Sequence, residues 1–217
     1  LIGFVDSDDQ ISREMYQLLY ENMVKYDSDI SACGVKMVWE DETPDRILTK
    51  SGCCILEHDD AMKAVIEESW IQSPVWYKLY RANLIRDITF PIGKYHEDVF
   101  WTYQAVGRAR RISVFDTACY FYTQRSGSIM GEHFSIKRLD ELEAKLLRFQ
   151  YVQQNYINIV GNAEKCDLCF YCIWLAQKVL RCLNGSEKQN ALKKICYVWK
   201  SIYGVKPRKL KEWIWLT

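Results

Sequence analysis

The chain begins with Leu1-Ile2-Gly3-Phe4-Val5-Asp6-Ser7-Asp8-Asp9, an apolar run that passes directly into three carboxylates. A continuous apolar run is typical of a strand that is buried on both faces of a sheet. Ligands of open α/β sheets bind beyond the carboxyl ends of the strands. We therefore expect this strand to carry its aspartates to a ligand site.

Three acidic side chains within four residues repel one another unless a cation or a row of donors offsets their charge. Carboxylate oxygens are the ligands that Mg²⁺ and Mn²⁺ prefer. The alternative is that one aspartate caps the next helix and the others are solvated. The residues themselves leave both interpretations open.

Later blocks give the acidic segment a context, and they occur in a fixed order. They are Trp76-Tyr77-Lys78-Leu79-Tyr80-Arg81, Phe90-Pro91-Ile92-Gly93-Lys94-Tyr95-His96-Glu97-Asp98-Val99 and Gln124-Arg125-Ser126-Gly127-Ser128-Ile129. Together with Phe4 to Asp9, they resemble family 2 glycosyltransferases of the GT-A fold, in which the acidic segment is called the DxD motif.

The resemblance implies an α/β fold, with a GT-A-type mixed sheet flanked by helices over residues 1–134. We expect a helical C-terminal region over residues 135–217, ending in a basic tail that contains tryptophan. The family's strands for the nucleotide base and ribose would precede Leu1. The sheet would then be incomplete at its N-terminus, and the chain alone would be poorly stable and inactive.

Local patterns predict several elements of this fold. Ser12 is expected to cap a first helix, and Ile30 to Val38 to form the next strand. Arg111–Phe115 and Cys119–Tyr122 are expected to form a hairpin around Asp116-Thr117. Three helices are expected over residues 136–151, 163–183 and 186–202.

Composition narrows the possible partners. A net charge of +1 gives no overall preference for nucleic acid, so we expect none as a partner. Nine scattered cysteines are typical of reduced thiols in a cytoplasmic protein. Cys166, Cys169 and Cys172 have a metal-like spacing, but no matching pair follows, so zinc is the less favoured interpretation.

The resemblance also implies roles for individual side chains. The general base would be Asp98, assisted by Glu97, and the donor would contact Asp6, Asp8, Arg125 and Ser128. Trp76 and His96 would face the acceptor, while Asp8 and His133 would hold Mg²⁺ or Mn²⁺. Simpler interpretations stay open: caps for Glu97 and Asp98, core packing for Trp76, and a plain loop for the segment from Arg125 to His133.

The implied reaction is inverting, metal-dependent transfer of one sugar from a nucleoside-diphosphate sugar, most simply a UDP-sugar. The acceptor would be a hydroxyl of a glycan or lipid-linked glycan precursor of the cell surface. The processive members' Gln-x-x-Arg-Trp sequence is absent after Tyr122. Residues 206–217 interleave bases with tryptophans and suit an anionic membrane surface or a helical core.

Two other functions compete with this one. One is a non-catalytic relative that binds a sugar or a nucleotide. The other is a different aspartate-dependent metal enzyme, a phosphohydrolase or nucleotidyltransferase, which would leave the blocks around Trp76 and Asp98 unexplained.

Overall fold

The computed structural model describes residues 1–124, 134–156 and 158–203, with side chains omitted at 158–160. The chain divides into two compact units. The first contains residues 1–90 and 101–132, and the second contains residues 91–100 and 133–217. Arg125, Ser128, His133 and the basic tail lie outside the described residues.

A mixed seven-stranded sheet forms the first unit, in the order β1-β6-β3-β7-β2, with β4 on β3 and β5 on β7. The strands are β1 (Ile2–Gly3), β2 (Gln10–Ile11), β3 (Ile30–Trp39), β4 (Arg46–Ile47), β5 (Cys54–Glu57), β6 (Lys78–Tyr80) and β7 (Arg111–Gln124). Three helices belong wholly to this unit: α1 (Met15–Lys25), α2 (His58–Ile66) and α3 (Ala82–Ile85). Helix α4 (Glu97–Arg108) begins in the second unit and continues into the first. The expected mixed α/β sheet with helices, followed by a helical C-terminal part, is confirmed.

The centre of the sheet is the parallel pair of β3 and β7, which runs from Ile30 opposite Ile112 to Trp39 opposite Gln124. The expected hairpin is therefore wrong, because β7 is one strand of 14 residues. Strand β3 pairs with β7 before and after Asp116-Thr117. The register shifts around Gly34 accommodate these two turn-like residues as an irregularity within the strand. A Cβ at Gly34 would lie 2.3 Å from the backbone oxygen of Asp116.

Two further local expectations are wrong. Strand β1 has two half-buried residues and pairs with β6 alone, so it is not buried on both faces. Helix α1 has Glu14 at its N-cap position, without a side-chain cap. Ser12 instead accepts a hydrogen bond at its backbone oxygen from the N–H of Met15, at 3.2 Å. The chain thus turns into α1 by backbone contacts.

An aromatic cluster fixes the chain immediately before the aspartates. The ring of Phe4 lies 5.9 Å from that of Tyr80, 5.8 Å from Phe90 and 5.6 Å from Trp101, all edge to face. The indole N–H of Trp101 donates to the backbone oxygen of Ile88 at 3.2 Å. Such ring pairs add directional stabilisation to the burial of apolar surface. The cluster therefore anchors the chain just before the acidic segment begins.

The second unit contains the three predicted helices, α5 (Arg138–Asn155), α6 (Asn158–Cys182) and α7 (Gly185–Tyr203). Leucines and isoleucines of all three form one core, which also takes in Cys169 and Cys172. All nine cysteines lie in described parts of the chain, and none forms a disulfide. No helix among the described residues combines the length and the apolar character needed to cross a membrane.

Buried ions join α5 to α6. The guanidinium of Arg148 lies 2.8 Å from a carboxylate oxygen of Glu164 and 2.6 Å from one of Asp167. Lys145 lies 2.8 Å from Asp167 as well. Arg148 and Glu164 are almost completely buried, and burial raises the pKa of Glu164 against the opposing effect of Arg148. Each ion of this pair therefore depends on its partner.

We predict that Arg148→Met lowers the free energy of unfolding by about 3–5 kcal/mol, because it leaves the carboxylate of Glu164 buried without its ion partner. The double variant Arg148→Met/Glu164→Leu should recover most of the loss, since neither charge is then buried alone. Urea denaturation measures both values, with the exposed Arg181→Met as the control. A double variant no more stable than the single variant would contradict this prediction.

Candidate functional site

The acidic segment forms a tight turn after β1. The backbone N–H of Asp9 donates to the backbone oxygen of Asp6 at 3.2 Å. Asp6 and Asp8 are exposed, whereas Asp9 is half-buried. The short strand β2 follows at once and pairs with β7 through Gln10 opposite Phe121. The turn therefore connects β1 and β2, which lie at opposite ends of the strand order.

Tyr120 of β7 holds both ends of this turn. Its hydroxyl donates to Oδ2 of Asp9 at 2.6 Å and accepts from the N–H of Asp6 at 3.2 Å. The N–H of Thr123 donates to Oδ1 of Asp9 at 2.8 Å. Burial, and then the hydrogen bond to Asp9, raise the pKa of Tyr120, so its hydroxyl stays protonated and can donate. Asp9 thus anchors the turn to β7.

Trp76 stacks on the same tyrosine. Its ring centroid lies 4.2 Å from that of Tyr120 and 5.4 Å from that of Tyr122, with nearly parallel planes. Trp76 itself is half-buried and lies in the segment before β6. The acidic turn, Tyr120 and Trp76 are therefore one continuous group of contacts. The contacts are those expected from packing, and the part-exposed indole also offers an apolar ring to a ligand.

Oxygen donors at this turn suit a hard divalent ion. No group of three or more His, Cys, Asp or Glu side chains that could hold a metal is found among the described residues. Mg²⁺, however, is commonly bound by one or two carboxylates together with substrate phosphates. The exposed carboxylates of Asp6 and Asp8 fit this kind of donor set. His133, the other expected metal ligand, lies outside the described residues.

The segment His96-Glu97-Asp98 belongs to the second unit. Glu97 and Asp98 are the first two residues of α4, and His96 directly precedes the helix. Oδ1 of Asp98 accepts a hydrogen bond from the backbone N–H of Val99 at 2.8 Å. One of its two carboxylate oxygens therefore serves the N-terminus of the helix, as the capping interpretation expects. Glu97 is exposed, and Asp98 is half-exposed. His96 has a φ of 59°, a conformation that non-glycine residues rarely adopt and that surrounding contacts must hold.

The imidazole of His96 lies in a polar cluster on α5 and α6. Its Nε2 is 3.4 Å from Nη1 of Arg138 and 3.7 Å from Oε2 of Glu141. The same Glu141 oxygen accepts the hydroxyl of Tyr171 at 2.8 Å. Burial, and then Glu141, raise the pKa of Tyr171, so this hydroxyl also remains a donor. His96, which was expected to face the acceptor, is thus fixed by side chains of the helical part of the unit.

Two residues that contact the candidate site, Tyr120 and Glu141, were missed by sequence reasoning. Tyr120 belongs to an aromatic run of β7, and no motif marks which ring meets the aspartates. Glu141 is one acid among several at the start of α5. A signal for Tyr120 was its place in Cys119–Tyr122, which was expected to be a strand. Its hydroxyl contacts become visible only with the register of β7.

The chain is similar to several known glycosyltransferases. No family model matches the chain. It is 25% identical over 173 residues to the uncharacterized glycosyltransferase YibD of Escherichia coli (strain K12), covering 76% of this chain and 46% of YibD. It is 29% identical over 208 residues to the uncharacterized glycosyltransferase EpsJ of Bacillus subtilis (strain 168), covering 89% of this chain and 57% of EpsJ. The chain thus spans about half the length of these relatives.

Among solved structures, the fold is similar to S. aureus TarS 1-349 in complex with UDP-GlcNAc. The TM-score is 0.65 with 22% identity, and the match covers 92% of this chain and 57% of that chain. TarS 1-349 in complex with UDP matches with a TM-score of 0.59. Family 2 in particular is not confirmed by these matches. The fold and the relatives together confirm the resemblance to a GT-A-like glycosyltransferase.

Proposed function

We propose that the protein transfers one sugar from a nucleoside-diphosphate sugar, most simply a UDP-sugar, to a hydroxyl of a glycan precursor. The observation that carries this proposal is the acidic turn at Asp6 to Asp9, which Tyr120 ties to β7. The similarity to TarS, solved with UDP-GlcNAc, supports a nucleotide sugar as donor. The similarity to other glycosyltransferases supports the reaction class.

In this proposal, Asp6 and Asp8 face the donor, and Asp9 holds their turn. The exposed position of Asp6 and Asp8 supports this division, since Asp9 already accepts two hydrogen bonds. Asp8 would hold Mg²⁺ or Mn²⁺ against the diphosphate. When bound, such an ion supplies Lewis-acid stabilisation of the charge on the departing diphosphate. Arg125, Ser128 and His133 stay predicted members of the donor and metal site.

Asp98 is the proposed general base. A carboxylate oxygen of Asp98 would take the proton of the acceptor hydroxyl while the oxygen of that hydroxyl attacks the anomeric carbon. The bond between this carbon and the diphosphate oxygen breaks, and its electron pair leaves with the diphosphate. A single displacement from the opposite face inverts the anomeric centre. Glu97 would orient the acceptor or the base beside it.

Acceptor recognition is assigned to Trp76 and His96. The half-buried indole of Trp76 suits the C–H face of a sugar, because such a face is apolar. A lipid-linked precursor would place the reaction at the inner face of the plasma membrane, where the basic tail could contact anionic lipid. The proposed acceptor is therefore a cell-surface glycan precursor.

We predict that Asp98→Asn lowers kcat by about a hundredfold to ten-thousandfold, because the acceptor hydroxyl loses its base. Donor binding should change little. UDP release and transfer to acceptor are measured in the complete protein, with Asp87→Asn, an exposed aspartate of the first unit, as the control. Transfer at the wild-type rate in Asp98→Asn would exclude Asp98 as the base.

We predict that Tyr120→Phe raises the KM for the donor about tenfold or more. The variant loses a hydrogen bond to the charged Asp9 and an acceptor for the N–H of Asp6, and one such charged bond contributes about 1.5–3 kcal/mol. Tyr122→Phe is the matched control, because it removes a hydroxyl from the same ring stack and keeps the ring. Equal donor KM values in both variants would argue against this role of Tyr120.

Removal of metal should abolish transfer. We predict that EDTA stops UDP release and that added Mn²⁺ or Mg²⁺ restores it. Asp8→Asn should require about tenfold more Mn²⁺ for half-maximal rate, which corresponds to about 1.4 kcal/mol. Asp41→Asn, in an exposed loop, serves as the control.

Two other outcomes have distinct meanings. Transfer that continues unchanged in EDTA would overturn the metal requirement while leaving the transferase function in place. Phosphate released from simple esters, without UDP release from a UDP-sugar, would favour a phosphohydrolase.

A further inference from the structure

The loop that leads into His96-Glu97-Asp98 is held by the first turns of α5. Asp140 accepts the backbone N–H of Tyr95 at Oδ2, at 3.2 Å, and the ammonium of Lys94 at Oδ1, at 3.1 Å. Glu143 binds the same ammonium at 2.8 Å. Hydrogen bonding to Glu143, followed by Asp140, raises the pKa of Lys94. The loop is thus tied by its backbone and by a side chain.

The next residues continue this pattern. The ring of Tyr95 lies under the ammonium of Lys137, 4.0 Å from the ring centroid, and its hydroxyl accepts a hydrogen bond from that ammonium. His96 then meets Glu141 and Arg138. Three successive loop residues, Lys94 to His96, therefore each contact a charged side chain of α5 or of the turn before it.

Glu141 is the centre of the last of these contacts. Its Oε2 receives the hydroxyl of Tyr171 at 2.8 Å and lies 3.4 Å from Nη1 of Arg138. The hydroxyl of Tyr171 lies 3.1 Å from the backbone oxygen of Arg138 as well. Side chains of Glu141 and His96 are only 16% and 18% exposed, so water weakens their interaction less than at an open surface.

We propose that Glu141 and Asp140 are positioning residues, which hold His96 in its left-handed conformation and thereby set the direction of Asp98. The inference rests on the proposed role of Asp98 as general base. His96 is the last residue before α4, so its backbone angles fix where the first helical carboxylates point. A displacement of about 1 Å at a reacting group can lower a rate about a hundredfold.

In this proposal, helix α5 of the C-terminal part positions the loop before α4. These helices carry no recognised catalytic motif, and a purely structural role would require only their apolar core. The side chains of Asp140, Glu141 and Glu143 instead contact the loop that leads to the proposed base. Loss of one such contact should therefore change turnover more than stability.

The experiment measures Glu141→Ala in the complete protein, with Glu187→Ala, an exposed acid of α7, as the control. We expect kcat to fall about tenfold to a hundredfold, with the donor KM close to that of the wild type. The melting temperature should fall modestly, because Tyr171 and Arg138 lose a charged partner. Glu141→Asp should restore part of kcat, because it returns a carboxylate. If Glu141→Ala fails to fold, Glu141→Gln keeps the size of the side chain and removes its charge.

A second readout does not depend on activity. The chain has three histidines, so the ring signals of His96 can be assigned in a histidine NMR spectrum with a His96→Gln variant. We expect these signals to shift in Glu141→Ala and to stay in place in Glu187→Ala.

The outcomes separate the inference from the proposed function. Wild-type kcat and unshifted His96 signals in Glu141→Ala, together with an inactive Asp98→Asn, would overturn the positioning role and leave the proposed base intact. Full activity of Asp98→Asn would overturn the proposed function, and with it this inference.

Discussion

The hydroxyl of Tyr120 is the contact on which the acidic turn depends. It accepts from the N–H of Asp6 and donates to the carboxylate of Asp9, so one group on β7 satisfies both ends of the turn. The carboxylate of Asp9 thereby binds β7, while the side chains of Asp6 and Asp8 are exposed. The three aspartates, which look equivalent in the sequence, have different surroundings because of the register of one neighbouring strand.

That register in turn depends on how β3 and β7 pair. The two strands run parallel over almost their entire length, with shifts at Gly34 where the backbone of Asp116 approaches closely. A side chain at position 34 would meet backbone atoms, which cannot move aside easily. The aromatic cluster around Phe4 fixes the entrance of the turn from the other direction. The turn is thus anchored at both ends before any ligand binds.

Much of this fold follows from the sequence because its patterns are local. The apolar spacing of α5 to α7 predicts helices, and an apolar run followed by acids predicts a turn after a strand. The hairpin prediction failed because Asp116-Thr117 is a good turn sequence, yet β3 pairs in parallel with β7 on both sides of it. Ser12 failed as a cap because the backbone already satisfies the start of α1. Tyr120 and Glu141 were missed since the contacts of Tyr120 with Asp9 and of Glu141 with His96 each join residues more than 40 positions apart.

The central claim is that Asp6 and Asp8 face the donor and its metal ion, while Asp9 holds their turn. The position of a bound ion tests this claim most directly. The measurement is paramagnetic broadening of amide NMR signals in the complete protein with UDP and Mn²⁺, compared with UDP and Mg²⁺. Binding at the acidic turn predicts that signals of Asp6, Ser7 and Asp8 disappear first, together with that of Tyr120. Sharp signals at the turn, with broadening concentrated elsewhere in the chain, would contradict it.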